Sequence, residues 1–138
     1  MQDVPLFRIV TEAAVTEPRV REVMAAFYGD VRADPVLGPI FREAIGDGDW
    51  SAHIEKVTAF WLKALRIGGN YNARDFMPAH LRHRHIRAEH APIWLALFDR
   101  TIDRLCTPQE ALAFHTLAVA MIENLAIGLA KRDGIEAS

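Results

Sequence analysis

Residues 27–41 read FYGDVRADPVLGPIF, and the way this stretch breaks decides the fold. On its N-terminal side Val20, Val23, Met24, Phe27, Tyr28 and Val31 recur at helical spacing and form one apolar stripe. That helix begins near Thr11 or near Thr16, since Pro18 suits a first turn. It has to stop before Asp34-Pro35, because a residue preceding proline avoids helical angles. Leu37 to Ile45 then reads as a short, partly helical connector.

Working outward, Asp49 can cap a second helix that runs to about Arg66. Its stripe is Trp50, His53, Ile54, Val57, Phe60, Trp61, Ala64 and Leu65, and Gly68-Gly69 ends it. Residues 68–86 read as irregular, with one helical turn around Met77 to Leu81. A third helix spans about Ala88 to Leu105, with Trp94, Leu97, Phe98, Thr101, Ile102 and Leu105 inward and Pro92 in or near its first turn. The last helix has the clearest start: Thr107-Pro108-Gln109-Glu110 is a capping box with proline at the first position. It carries Leu112, His115, Val119, Ile122, Leu125 and Leu129; Lys131 and Arg132 favour its negative end, and Gly134 reads as its stop. No segment alternates with period two, and no Asn-Gly or Asp-Gly hairpin occurs, so the class is all-α. The long irregular stretch between the second and third helices is unusual in a compact domain, and such stretches are usually functional.

The bulk numbers fit this outline. The 138 residues suit one domain, 1–138, with residues 1–15 as an extra N-terminal segment. A chain of that size buries roughly 68% of its unfolded surface, enough for one core and one enclosed pocket. A net charge of −2 gives no case for nucleic acid or an anionic membrane. The one cysteine, Cys106, allows no intrachain disulfide and fits a reducing compartment. Met1 to Val10 lacks the pattern of a secretion signal, and the longest apolar run, Leu117 to Ile122, is too short to span a bilayer. The expectation is a cytoplasmic protein that engages no membrane.

The chemistry-bearing residues cluster in the irregular stretch. His80, His83, His85 and His90 stand among Arg82, Arg84 and Arg87. Histidine is the commonest ligand for transition metals. The plain reading of the tract is a solvated basic loop; beside it stand a bare metal site using His83-x-His85 and a single haem ligand with neighbours on the haem propionates. Composition does not choose among them. His53 lies on the apolar stripe of its helix, where a buried imidazole needs a partner for its N–H. Tyr28 and Trp94 pose the same question, each with one polar group at a core-facing position. Core filling is the usual explanation for all three. There is no glycine-rich phosphate loop, no carboxylate pair on one helix face and no nucleophile beside a base.

Read in order, Phe27-Tyr28-x-x-Val31-Arg32-x-Asp34-Pro35-x-Leu37-Gly38-Pro39-Ile40-Phe41, Trp50-x-x-His53, Phe60-Trp61, Tyr71-Asn72, His80-Leu81 and Trp94-Leu95-x-Leu97-Phe98 form a recognisable series. It resembles the group III truncated haemoglobins over roughly residues 20–105. The resemblance implies a truncated globin-like two-on-two helical sandwich around haem b. It makes His80 the iron ligand, Tyr28 the distal tyrosine, His53 the distal histidine and Trp94 the distal tryptophan. It has Phe41, Val57, Phe60, Met77 and Ile86 line the haem, and His83, His85 or Lys56 meet its propionates. The family's Tyr-x-Gly-x-Pro stretch here reads Tyr71-Asn72-Ala73-Arg74-Asp75, which leaves His83 as the next candidate ligand.

The function so implied is binding of O2, CO, NO or similar small ligands at a polar distal pocket. Several donors there hold oxygen tightly, which suits nitric oxide dioxygenation or peroxide reduction, fed by an unidentified reductase, rather than oxygen delivery. Two other classes stand beside it: a haem-free histidine-metal site in residues 80–90, and a helical partner-binding domain whose aromatics fill its core.

Overall fold

The computed structural model describes residues 15–66 and 76–137, and every regular element in them is helical. The expected helix start near Thr11 and the Gly68-Gly69 stop lie outside those residues, as does Tyr71-Asn72. Helix α1, Glu17–Ala33, starts at Thr16, whose hydroxyl accepts from the Arg19 N–H at 3.3 Å. All six residues of its expected stripe are buried.

The break after α1 is built as the sequence suggests. The Asp34 carboxylate accepts from the backbone N–H groups of Val36 (3.0 Å) and Leu37 (2.8 Å), which starts α2, Leu37–Ile45. The connector is thus a full helix. It can lie under the end of α1 because residue 38 is glycine: a Cβ there would come within 2.9 Å of the Arg32 carbonyl oxygen. Arg42 holds the same corner, its guanidinium donating to the Arg32 carbonyl at 2.7 Å.

Helix α3 runs Ser51–Ala64, two residues shorter than expected, because Arg66 turns into a left-handed conformation (φ 62°). Asp49 caps it from one position upstream by accepting from the Ser51 N–H at 2.9 Å. Helix α4, Phe76–Leu81, is the single turn expected before the histidines. A 3₁₀ turn at Ala88–His90 leads into α5, Ala91–Leu105. Helix α6, Pro108–Ala137, starts with both capping-box bonds made: the Thr107 N–H donates to Glu110 at 2.8 Å, and the Glu110 N–H to the Thr107 hydroxyl at 3.2 Å.

Helices α1 and α3 form one layer and α5 and α6 the other, with α1 crossing onto α5. Thr101 on α5 donates to Asp30 on α1 at 2.8 Å, and Arg19 on α1 donates to Glu110 on α6 at 3.1 Å, so ion pairs and hydrogen bonds join the layers at both ends. Between them sits an aromatic core. Phe98 is fully buried and stacks on Trp61 (5.3 Å, 18°) and on Trp94 (4.9 Å, 14°).

Helix α6 departs from expectation in two ways. Leu112 is 52% exposed, while Ala113, Phe114 and Ala118 are the buried residues of its first half. The helix is apolar on nearly every side there, so no single stripe stands out in the sequence. It also continues through Gly134, where nothing lies within 4 Å of a Cβ position and no left-handed turn occurs. At Pro108–Gly134 it is long and apolar enough to cross a membrane by length and composition alone, which the short Leu117–Ile122 run did not suggest. Its apolar content is divided between the aromatic core and, further on, a cavity wall formed by Ile122, Leu125 and Leu129.

Phe98→Ala removes the ring on which both indoles stack. We expect a loss of about 3–5 kcal/mol, read as a lower midpoint in urea with an unchanged slope. A cost under 1 kcal/mol would show that the stack does not organise the core.

Candidate haem cavity

A cavity of about 500 Å³ opens between the two layers, within the range of ~300–1,000 Å³ usual for ligand pockets. Its wall draws on α1 (Tyr28), α2 (Phe41), α3 (His53, Val57, Phe60), α4 (His80) and α5 (Trp94). Several stripe residues of α3 are only half-buried for this reason: Val57 and Phe60 face open space as well as the core. The stretch after α4 completes the wall with His83, Ile86 and His90.

The sequence-derived site residues fall mostly on this wall. Tyr28, Phe41, His53, Lys56, Val57, Phe60, His80, His83, Ile86 and Trp94 all line the cavity. Met77 and His85 do not. Met77 lies against α6, its Sδ 3.1 Å from where a Cβ on Gly128 would be. His85 is exposed, with Nε2 3.7 Å from Glu43. The sequence reading missed Met24, Ile40, Arg82, Arg87, His90 and Met121, all on the wall. His90 was visible only as one of four histidines; its Nδ1 accepts from the Arg87 N–H at 3.0 Å across the 3₁₀ turn.

Three wall residues carry polar groups into an apolar setting. Tyr28 is buried, with its ring edge-on to Phe27, Phe41, Trp50 and His53. The Tyr28 and His53 rings are 5.2 Å apart. Trp94 is fixed by its stack on Phe98 and by the edge of Phe27. Among the described residues none of these three side chains makes a hydrogen bond, although each has at least one donor. Burial pushes the Tyr28 hydroxyl far above its ordinary value, so it keeps its proton. His53 is pushed down to about 4, first by burial and then by electrostatic interaction with Lys56 and His80, so its imidazole is neutral at pH 7.

The wall fits a porphyrin, which is a flat, largely apolar disc with two carboxylates. The lining is mainly apolar, and the exposed cations Lys56, Arg82 and Arg87 stand where the cavity meets solvent. Imidazoles from α3 and α4 supply possible axial nitrogens. A bare metal site has no such support: among the described residues no group of three or more His, Cys, Asp or Glu side chains is placed to hold a metal ion. Cys106 is half-buried and away from the cavity, its thiol pushed up to about 11, chiefly by burial.

No family model matches the sequence. Similarity to individual proteins is clear. A group 3 truncated hemoglobin from Campylobacter jejuni is 35% identical over 91 residues, which cover 64% of this chain and 71% of that protein. The crystal structure of the group III truncated hemoglobin from Campylobacter jejuni superposes with a TM-score of 0.78 at 29% identity, covering 84% of this chain and 92% of that one. The all-helical fold agrees with these likenesses, and the chain belongs to the group III truncated haemoglobins, whose cofactor is haem b.

Proposed function

We propose that the cavity holds haem b with His80 as the iron ligand, and that Tyr28, His53 and Trp94 form a polar pocket for O2, NO or CO. The observation that carries this reading is that three side chains on a mainly apolar wall, Tyr28, His53 and Trp94, bring polar groups to the cavity and make no hydrogen bond among the described residues. Haem iron held by one imidazole offers an open coordination position for a diatomic ligand and a change of redox state.

The protein's part is to bind, orient and hold protons. Aromatic neighbours clamp both rings, which fixes the Trp94 Nε1–H direction and the position of the Tyr28 hydroxyl oxygen, whose proton can turn toward a ligand. Neutral His53 presents one N–H and one acceptor nitrogen. Lys56, Arg82, His83 and Arg87 on the cavity wall would hold the propionates. A hydrogen bond to a charged partner is worth about 1.5–3 kcal/mol, so each donor slows ligand escape roughly ten- to a hundredfold. Retention of that kind suits chemistry on the ligand, such as nitric oxide dioxygenation or peroxide reduction, with electrons from a reductase. It does not suit delivery.

The absorption spectrum tests the cofactor: the purified or hemin-reconstituted protein should show a strong Soret band that moves with carbon monoxide. No such band after reconstitution would overturn the reading. For the pocket, we expect Tyr28→Phe and Trp94→Phe each to speed oxygen dissociation roughly tenfold or more. Unchanged dissociation in both variants removes the case for distal donors. His53 gives a pH test on the haem-free protein. Its folded imidazole takes up a proton only near about 4, the unfolded one near its ordinary 6.5. Between these values the unfolded state binds more protons, so stability is lost as pH falls through that window. The melting temperature should therefore drop more steeply below pH 6.5 in the parent than in His53→Gln; parallel curves would refute a buried neutral His53.

A further inference from the structure

We propose that Arg132 is a positioning residue for His80: its guanidinium, laid across the chain that leaves α4, fixes how the histidine is presented to the cavity. This rests on the reading of His80 as the iron ligand.

The case begins with α4 itself. It is six residues long, and its last carbonyls have no partner within the helix. Turn bonds satisfy two of them, from the Arg82 N–H to Pro78 (3.2 Å) and from the His83 N–H to His80 (3.1 Å). The Leu81 carbonyl is met by Arg132, whose Nη1 donates to it at 3.2 Å. The same Nη1 donates to the His83 carbonyl at 3.0 Å, and Nη2 to the Ile86 carbonyl at 2.7 Å. One side chain thus binds three carbonyls over residues 81–86, directly after His80. A cation at a helix C-terminus also opposes the negative end of its dipole.

Arg132 is itself held. Its side chain is only 10% exposed, and Nε and Nη2 both lie 2.8 Å from Asp133 Oδ1. Four N–H groups of the fork thus donate to oxygens, and Asp133 lies within ion-pair distance of Nη2 as well. A lysine cannot reproduce this, because one ammonium does not span three carbonyls in a fixed plane. One turn earlier on α6, Gly128 lets α4 come close: a Cβ there would stand 3.1 Å from Met77 Sδ and 3.7 Å from Leu81. So α6 seats α4 at Gly128 and ties down its exit at Arg132. The sequence places Arg132 near the end of its own helix, yet α6 runs on to Ala137 and the guanidinium serves a different helix.

The test uses haem-loaded Arg132→Met and Arg132→Lys, with His80→Gly as the reference. The decisive readout is the iron–histidine stretching band of the ferrous, ligand-free protein by resonance Raman. Both Arg132 variants should shift or broaden it, and a six-coordinate fraction should appear as His83 or another nearby imidazole reaches the iron. Amide exchange at His83 and Ile86 should quicken roughly ten- to a hundredfold. A band identical to the parent's overturns the proposal even if exchange quickens, since the role would then be structural only. Should Arg132→Met not retain haem, Arg132→Lys carries the comparison. If His80→Gly keeps the parental band, the ligand assignment falls and the positioning role with it. If His80→Gly loses the band while the Arg132 variants keep it, the positioning role alone is overturned.

Discussion

Phe98 lies between two indoles, and the rest of the molecule is arranged around that stack. A chain of 138 residues that keeps a cavity of about 500 Å³ between its layers has to brace the cavity wall from behind. Trp61 and Trp94 are both wall residues, and Phe98 supports each from the core side. Phe27 closes edge-on against Trp94 and Phe98, and Phe114 of α6 reaches Trp61. Such aromatic pairs contribute ~0.5–1.5 kcal/mol each beyond their buried area, and their geometry is specific. The core thereby fixes the direction of the Trp94 N–H on the cavity wall.

The other polar wall groups are fixed from the opposite layer. Tyr28 stands among four rings supplied by α1, α2, α3 and the residue before α3. That corner is secured in turn by Trp50, whose Nε1 donates to the Gly46 carbonyl at 2.7 Å, and by the Arg32 guanidinium 4.6 Å over the Trp50 ring. Tyr28 and His53 therefore come from one layer and Trp94 from the other. The sandwich, rather than any one helix, brings the three into one space.

Much of this was legible in the sequence, for reasons that differ by element. Helix α1 has one apolar stripe and polar residues elsewhere, so its buried face could be read residue by residue. Asp34-Pro35 and the Thr107–Glu110 box are local signals whose hydrogen bonds close within three residues. Helix α6 was harder, since apolar residues fall on nearly every side of its first half, while its one buried face runs from the aromatic core at Phe114 and Ala118 to the cavity wall at Ile122, Leu125 and Leu129. Gly134 misled because an exposed glycine can stay helical at a cost of only ~1 kcal/mol. Within the site, Tyr28, His53 and Trp94 stood out as polar groups on apolar stripes. Arg132 did not, because its partners are 46 to 51 residues away and no local pattern records them.

That distance explains why α4 exists at all. Isolated helices shorter than ~12–15 residues are marginal in water, and α4 has six residues. It cannot fold on its own propensity, so its order comes from packing. Helix α6 supplies that packing through the Gly128 contact, the Arg132 fork and the apolar residues Ile122, Leu125 and Leu129. The length and apolarity that make α6 resemble a membrane span by composition follow from this double duty. Its first half seals the aromatic core, and its second half carries the segment that bears His80. A shorter α6 would leave the core intact and the histidine without a seat.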